Sequence, residues 1–326
     1  MHRTGARAAV VVTAFLVPPG AFPQAWLPAR GEGSVSATFQ RVNADGHYLE
    51  DHSKLPGYRT RASNAVVYAA YGLTDRLALG LGVPVVNVKY LGPEEPFNLP
   101  DNVLDDGTYH GTLQDFRLEL RYNVLLRPVA LTPMVAAVIP SHSYDTLGES
   151  APGRDFQEYH AGLYAGRFLD PVLPRAYLQA GYTYAYVRQD IDIPLDYSSF
   201  AFEAGYFLTD RVQVSFLWNK LWSHGGLTFN ELFEAPPEVF VNLDRVVKAS
   251  YDHVGAALSV KLAGSLSAYG NYVWFVKGKD AHYGSGFSLG LGWSFRTARA
   301  DDVPLFPPAP PQATTRSVPG RTARAR

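Results

Sequence analysis

The sequence predicts an all-β fold: an antiparallel transmembrane β-barrel of about 12 strands, with short periplasmic turns and longer external loops. Three observations predict it. Apolar residues alternate with polar or small ones through the body of the chain, short and long connections alternate between those segments, and an apolar run led by arginines stands at the N-terminus.

Bulk composition conceals this. The chain has 326 residues, 47% apolar and 18% charged, with 29 Gly, 20 Tyr and 18 Phe. Its mean hydropathy of −0.09 resembles that of an ordinary soluble chain and argues against a bundle of membrane-spanning helices. Such an apolar content excludes a disordered chain. The absence of Cys excludes a disulfide scaffold, a thiolate metal site and a cysteine nucleophile. A net charge of −1 predicts no nucleic-acid partner.

Taken in order, residues 1–30 read as an export signal. Arg3 and Arg7 precede the ten-residue run Ala8 to Val17, Pro18-Pro19-Gly20 breaks it, and Ala21, Ala25 and Ala29 offer small residues, so cleavage is expected between 21 and 29. Ten apolar residues fall short of the roughly 20 needed for a membrane-spanning helix. The barrel is assigned to 31–295. A Pro- and Arg-rich tail without periodicity, expected to be disordered, fills 296–326.

Twelve candidate strands lie at roughly 33–43, 60–71, 76–89, 111–124, 131–141, 156–168, 175–187, 197–208, 211–221, 247–260, 265–276 and 281–295. In the last, Phe287, Leu289, Leu291, Trp293 and Phe295 point one way while Gly286, Ser288, Gly290, Gly292 and Ser294 point the other. The third sets Leu77, Leu79, Leu81, Val83 and Val85 against Ala78, Gly80, Gly82 and Pro84. In the fourth, Gln114, Phe116, Leu118, Leu120 and Tyr122 share a face, and Asp115, Arg117, Glu119, Arg121 and Asn123 form a polar ladder on the other. No helical stripe stands out between Gly33 and Phe295.

Connections near 72–75, 125–130, 170–174, 209–210 and 261–264 are short; those at 44–59, 90–110, 142–155, 188–196 and 222–246 are long and hold much of the charge. Twelve antiparallel strands with both termini on one side require this alternation. Tyr71, Tyr122, Phe168, Phe207 and Phe295 beside the short turns, and Tyr90, Tyr184, Tyr186, Trp218, Trp222 and Trp274 towards the long loops, suggest two interfacial girdles. A soluble sandwich could carry the same alternation; the export signal and the turn pattern favour the barrel. Lipid offers no partner to an open sheet edge, so closure is required there.

Twelve strands tilted by about 40° enclose a lumen of about 10 Å after side chains. Small residues on the inner faces of the third and last strands are expected to keep part of it open. Asp115, Arg117, Glu119, Arg121, Glu158, His160, Glu203 and Gln213 are the candidate lumen-lining residues. They read either as a polar constriction that selects solutes or as a charge network that braces the barrel.

The turn Tyr71-Gly72-Leu73-Thr74-Asp75-Arg76-Leu77, running into Gly80-Leu81-Gly82-Val83-Pro84, resembles a hairpin of the bacterial outer-membrane family named for the MetA pathway of phenol degradation. A weaker copy stands at Tyr206 to Val212, and Gln114 to Tyr122 resembles another of that family's strands, with Gln114 where Gly is usual. The resemblance implies a barrel that passes small, often aromatic or hydrophobic, compounds. Gly292-Trp293-Ser294-Phe295 resembles the signal by which the barrel-assembly machinery recognises its clients, although the chain continues beyond it.

No enzyme is expected. Ser141-His142-Ser143-Tyr144-Asp145 supplies the letters of a hydrolase triad, but neighbours on a strand face opposite ways. The loop histidines show no metal-ligand spacing and no phosphate-binding glycine loop is present, so no metal or cofactor is predicted. The sequence therefore predicts a channel or facilitated transporter of the bacterial outer membrane, its partners being outer-membrane lipid and a small-molecule solute. The alternatives are a structural or adhesive barrel with a blocked lumen and, more remotely, a lipid hydrolase carried on a barrel.

Overall fold

Side chains that alternate between lipid and water can satisfy both solvents only if every backbone donor and acceptor is paired and the sheet closes. The computed structural model describes residues 24–93, 103–189 and 191–297 and has that form. Its strands are β1 (Glu32–Tyr48), β2 (Lys54–Gly72), β3 (Leu77–Tyr90), β4 (His110–Leu113), β5 (Phe116–Tyr122), β6 (Ala130–Ile139) and β7 (Gln157–Phe168). They continue as β8 (Ala176–Arg188), β9 (Tyr197–Phe207), β10 (Val212–Ser223), β11 (Ser250–Ala263), β12 (Leu266–Lys279) and β13 (Ala281–Arg296). Successive strands pair antiparallel, and β1 closes the ring on β13, with Gly33 opposite Phe295 and Gln40 opposite Ser288. Both β4 and β5 pair with β3, so thirteen strands occupy twelve positions.

The strand faces follow the alternation. On β13 Leu289 is 59% exposed and Ser288 1%. On β5 Leu118, Leu120 and Tyr122 are exposed while Glu119 and Arg121 are buried. On a barrel the exposed large residues are those that meet lipid. An arginine at Leu291, exposed on the same face of β13, is expected to cost about 2–4 kcal/mol if it lies near the bilayer midplane. Urea unfolding of the folded protein in lipid vesicles checks this.

The two Leu-Thr-Asp-Arg turns fold alike. Thr74 Oγ1 accepts from the Arg76 and Leu77 amides at 3.2 and 3.0 Å, and Thr209 Oγ1 from the Arg211 and Val212 amides at 3.1 and 3.0 Å. A short hydroxyl side chain that bonds the backbone ahead of it makes a tight turn, which explains the repeated letters.

Four expectations need correction. The fourth strand breaks at Gln114-Asp115, which turns Gln114 inward: it is buried, and its Nε2 donates to Pro152 O at 2.9 Å. The connection after β10 is helical, with α1 (Phe229–Glu234), α2 (Pro237–Phe240) and α3 (Leu243–Val246). Tyr90 is buried beneath this insert, and Phe168 and Phe207 line the lumen, so these three do not belong to a lipid-facing girdle. Finally, Gly80 and Gly290 on the inner faces do not leave open space, although Gly82 does line the cavity. Tyr68 lies over Gly80 and Tyr269 over Gly290, so close that a Cβ at either glycine would stand 2.4 or 2.3 Å from the phenol ring or its oxygen. The missing side chains are replaced by tyrosines from the neighbouring strands.

Residues 24–30, inside the predicted export segment, fold with the barrel. Ala25 is fully buried, its carbonyl accepts from Thr132 Oγ1 at 2.7 Å and Asn123 Nδ2 at 3.2 Å, and Trp26 packs 4.9 Å from Phe168. Gln24–Arg30 therefore pack against the inner face of the barrel. The apolar run of the export segment and the tail beyond Thr297 lie outside the described residues.

Candidate functional site: the lumen and its two mouths

Inward positions on the strands enclose a cavity of about 2250 Å³, bounded by residues as far apart as Trp26 and Arg127 near the short turns and Asp244 and His282 near the long loops. All eight sequence-predicted residues line it: Asp115, Arg117, Glu119, Arg121, Glu158, His160, Glu203 and Gln213. They form two groups, one on β5 to β7 and one on β8 to β10.

On β5 the inward phase places Arg117, Glu119 and Arg121 one above another. Arg117 pairs with Glu119 Oε2 at 3.1 Å, and Arg121 Nε lies 2.9 Å from Glu119 Oε1. Tyr68 Oη on β2 donates to Glu119 Oε1 at 3.3 Å and accepts from Arg121 at 3.2 Å. Arg117 reaches His160 Nδ1 at 3.4 Å, and His160 Nε2 lies 3.0 Å from Glu158 Oε2. Tyr197 Oη donates to the same Glu158 oxygen at 2.6 Å, and Arg154 pairs with Glu158 Oε1. Asp115, at the break in the strand, accepts from Tyr144 Oη at 2.7 Å. Burial, with Asp115 beside it, pushes the Tyr144 phenol above its ordinary range, so it remains the donor.

The second group centres on Glu203. It accepts from Gln179 Nε2 at 2.6 Å, from Ser215 Oγ at 2.7 Å and from Tyr177 Oη. Gln213 Nε2 donates to Ser215 Oγ at 3.1 Å and to Tyr177 Oη. Tyr177 is buried over Gly205, where a Cβ would lie 2.1 Å from the ring. Each of the buried charged groups in these two clusters is thus paired or hydrogen-bonded, which is what makes a charge tolerable away from bulk water. The wall sets these paired charges among apolar and aromatic side chains such as Val66, Phe200, Phe202 and Leu217, and the lining carries charges of both signs.

Both mouths carry additional chain. At the short-turn end the Gln24 carbonyl accepts from Arg121 at 3.2 Å, which ties residues 24–30 to the charged ladder. At the long-loop end Phe229, Leu232, Phe240, Leu243 and Val246 bury against Tyr58 and Tyr90 of the rim. Thr228 and Glu231 cap α1 reciprocally, the Thr228 amide donating to Glu231 Oε2 at 2.7 Å and the Glu231 amide to Thr228 Oγ1 at 3.3 Å. The letters Thr228-Phe229-Asn230-Glu231 are a legible helix start. A search for strand periodicity passes over them because each helix spans four to six residues.

The loops lock together. The Gly148 amide donates to Val241 O at 3.0 Å, and Arg245 Nε donates to Arg154 O at 3.0 Å while its guanidinium lies 4.2 Å over Phe156. Asp105 accepts from the Glu149 and Ser150 amides, both at 2.8 Å. Burial raises the Asp105 carboxyl against the lowering effect of those two bonds. The long-loop mouth is therefore a structured cap.

The hydrolase letters do not assemble into a triad. His142 Nδ1 lies 2.8 Å from Ser141 Oγ, and its Nε2 lies 3.2 Å from Thr112 Oγ1, so a hydroxyl occupies the place of an orienting carboxylate. Ser141 Oγ donates to Leu113 O at 2.6 Å.

Fold and lumen define a class: a closed twelve-position barrel of the outer-membrane type, with paired charges set in its interior. No protein-family model and no curated protein sequence matches the chain. Among solved structures, an outer-membrane channel from Pseudomonas putida F1 is similar, with a TM-score of 0.64 at 11% identity, covering 83% of this chain and 98% of that one. A FadL homologue from Pseudomonas aeruginosa is a looser match, with a TM-score of 0.39 at 10% identity over 85% and 95% of the two chains. The first likeness shows a shared barrel fold.

Proposed function

We propose that the protein is a passive channel for small molecules in the bacterial outer membrane. The observation that carries this reading is the 2250 Å³ cavity, bounded near both ends of the barrel and lined by paired charges and tyrosines. Solute enters past the external cap, crosses the ladder of Arg117, Glu119 and Arg121, and leaves beside residues 24–30. Paired charges offer hydrogen bonds without holding an ion tightly, which suits diffusion. The aromatic lining and the resemblance of the Tyr71–Pro84 hairpin to the phenol-degradation family favour aromatic or hydrophobic solutes. Barrel lipid and, during insertion, the assembly machinery are its remaining partners, and the reading assigns it no enzymatic step.

Planar-bilayer recording tests the proposal. Discrete current steps are expected from the folded protein, with ion selectivity that shifts towards cations when Arg117 and Arg121 are both replaced by Ala. Folded protein that gives no current, with or without that change, overturns it. The alternative of a blocked structural barrel is favoured by the chain at both mouths, and the same recording separates the two.

A further inference from the structure

We propose that the external rim carries a binding site for a divalent transition metal of the zinc class, built from His47, Glu149 and His282. The three side chains come from separate parts of the chain: the long-loop end of β1, the loop between β6 and β7, and the start of β13. Their donor atoms lie within 4.8 Å of one another, and all three residues are buried. Two imidazoles and one carboxylate form a nitrogen–oxygen set suited to Zn²⁺ and its neighbours. In a tetrahedral zinc site such ligands stand about 3.4 Å apart, so donor atoms within 4.8 Å of one another are already near that spacing.

The site is built by tertiary structure. His47 and His282 are directly opposed across the β1–β13 seam, with ring centroids 4.5 Å apart. The seam thus contributes two neighbouring ligands from the first and last strands of the barrel. Glu149 is held from its own backbone, its amide and that of Ser150 both bonded to Asp105, and Gly148 before it bonded to the helical insert. Phe229 and Tyr58 pack edge-on against the His47 ring at 5.6 and 5.5 Å, walling it from water.

A second observation points to a ligand. His47 is wholly buried, yet neither of its ring nitrogens has a hydrogen-bond partner. An imidazole shut from water with both nitrogens unsatisfied is costly, and a metal bond at one of them removes that cost. Because the ligands tie the loop between β6 and β7 to the barrel seam, and Gly148 of that loop is bonded to the helical insert, the bound metal would also staple the external cap.

Zinc and cobalt binding to the purified, folded barrel tests the site. After chelation and dialysis the protein is expected to take up one zinc per chain, and Co²⁺ is expected to produce the visible bands of a low-coordinate nitrogen–oxygen site. His47→Ala and His282→Ala should abolish uptake. Glu149→Gln, close in shape, should weaken it at least ~10-fold, the size of effect that follows even from loss of an outer-shell partner. His142→Ala removes a histidine outside the cluster and should bind as the parent does. Heat-modifiable gel mobility verifies that each variant is folded. No stoichiometric zinc and no cobalt bands in the parent, or uptake unchanged by His47→Ala and Glu149→Gln, overturns the proposal. If the histidine variants do not fold, the parent's cobalt spectrum and the Glu149→Gln titration decide it.

Discussion

Replacing residues 228–246 with a short Gly-Ser link is expected to raise single-channel conductance several-fold. The excision is conservative for the barrel because the insert leaves and re-enters at one point. The Leu227 amide donates to Val246 O at 2.7 Å, and the Lys248 amide donates to Leu227 O at 2.8 Å, so the cut ends already lie side by side. No barrel strand is shortened. What disappears is the apolar lid of Phe229, Leu232, Phe240, Leu243 and Val246 over the rim, together with Asp244, which lines the cavity. Resistance in a pore concentrates where it is narrowest, so the gain measures how far the cap restricts the path. An unchanged conductance would place the restriction lower, at the charged ladder or beside residues 24–30.

The second large effect is expected from Glu119→Ala, with a loss of about 3 kcal/mol in folding stability. Glu119 stands between two guanidiniums and also accepts from Tyr68, so its removal leaves Arg117 and Arg121 facing each other with their shared anion gone. Breaking a buried pair from one side costs about 3–5 kcal/mol. The lower end applies because the Arg117 side chain is 23% exposed to the lumen, whereas that of Arg121 is 7% exposed. Urea midpoints in lipid vesicles read the loss. Adding Arg117→Ala should recover part of it, because the surviving charge then has less to repel; purely additive losses would mean the two residues are not coupled. The same substitution leaves an uncompensated positive charge in the lumen, so the reversal potential should move towards anion preference.

These effects depend on features that were unequally legible. Strand positions could be read from the chain because lipid and water impose a period of two on every strand, and Leu289 beside Ser288 records both solvents in consecutive letters. The short turns were readable because Thr74 and Thr209 use their own hydroxyls to build them. Local periodicity also placed Arg117, Glu119 and Arg121 on the inner face. It could not show that they share one carboxylate, or that Tyr68 from another strand completes the set. The Gln114-Asp115 break was invisible, since a bulge changes the phase without changing the letters. Tyr90, Phe168 and Phe207 sit at strand ends where girdle residues would, but they keep the inward phase of Val88, His160 and Glu203 on their own strands, and the insert and residues 24–30 supply what Tyr90 and Phe168 pack against.

By itself the amino-acid sequence determined the solvent pattern of this protein. It specified an all-β chain with twelve alternating segments, polar on one face and apolar on the other, with a body near −8 once 1–30 and 296–326 are set aside. Those properties are local and repeat along the chain. The tertiary structure alone decided what occupies the two mouths, how the lumen charges pair, and that His47, Glu149 and His282 meet. The physical reason is closure. Joining β1 to β13 brings together residues 235 positions apart, such as His47 and His282, a proximity that no periodicity along the chain encodes.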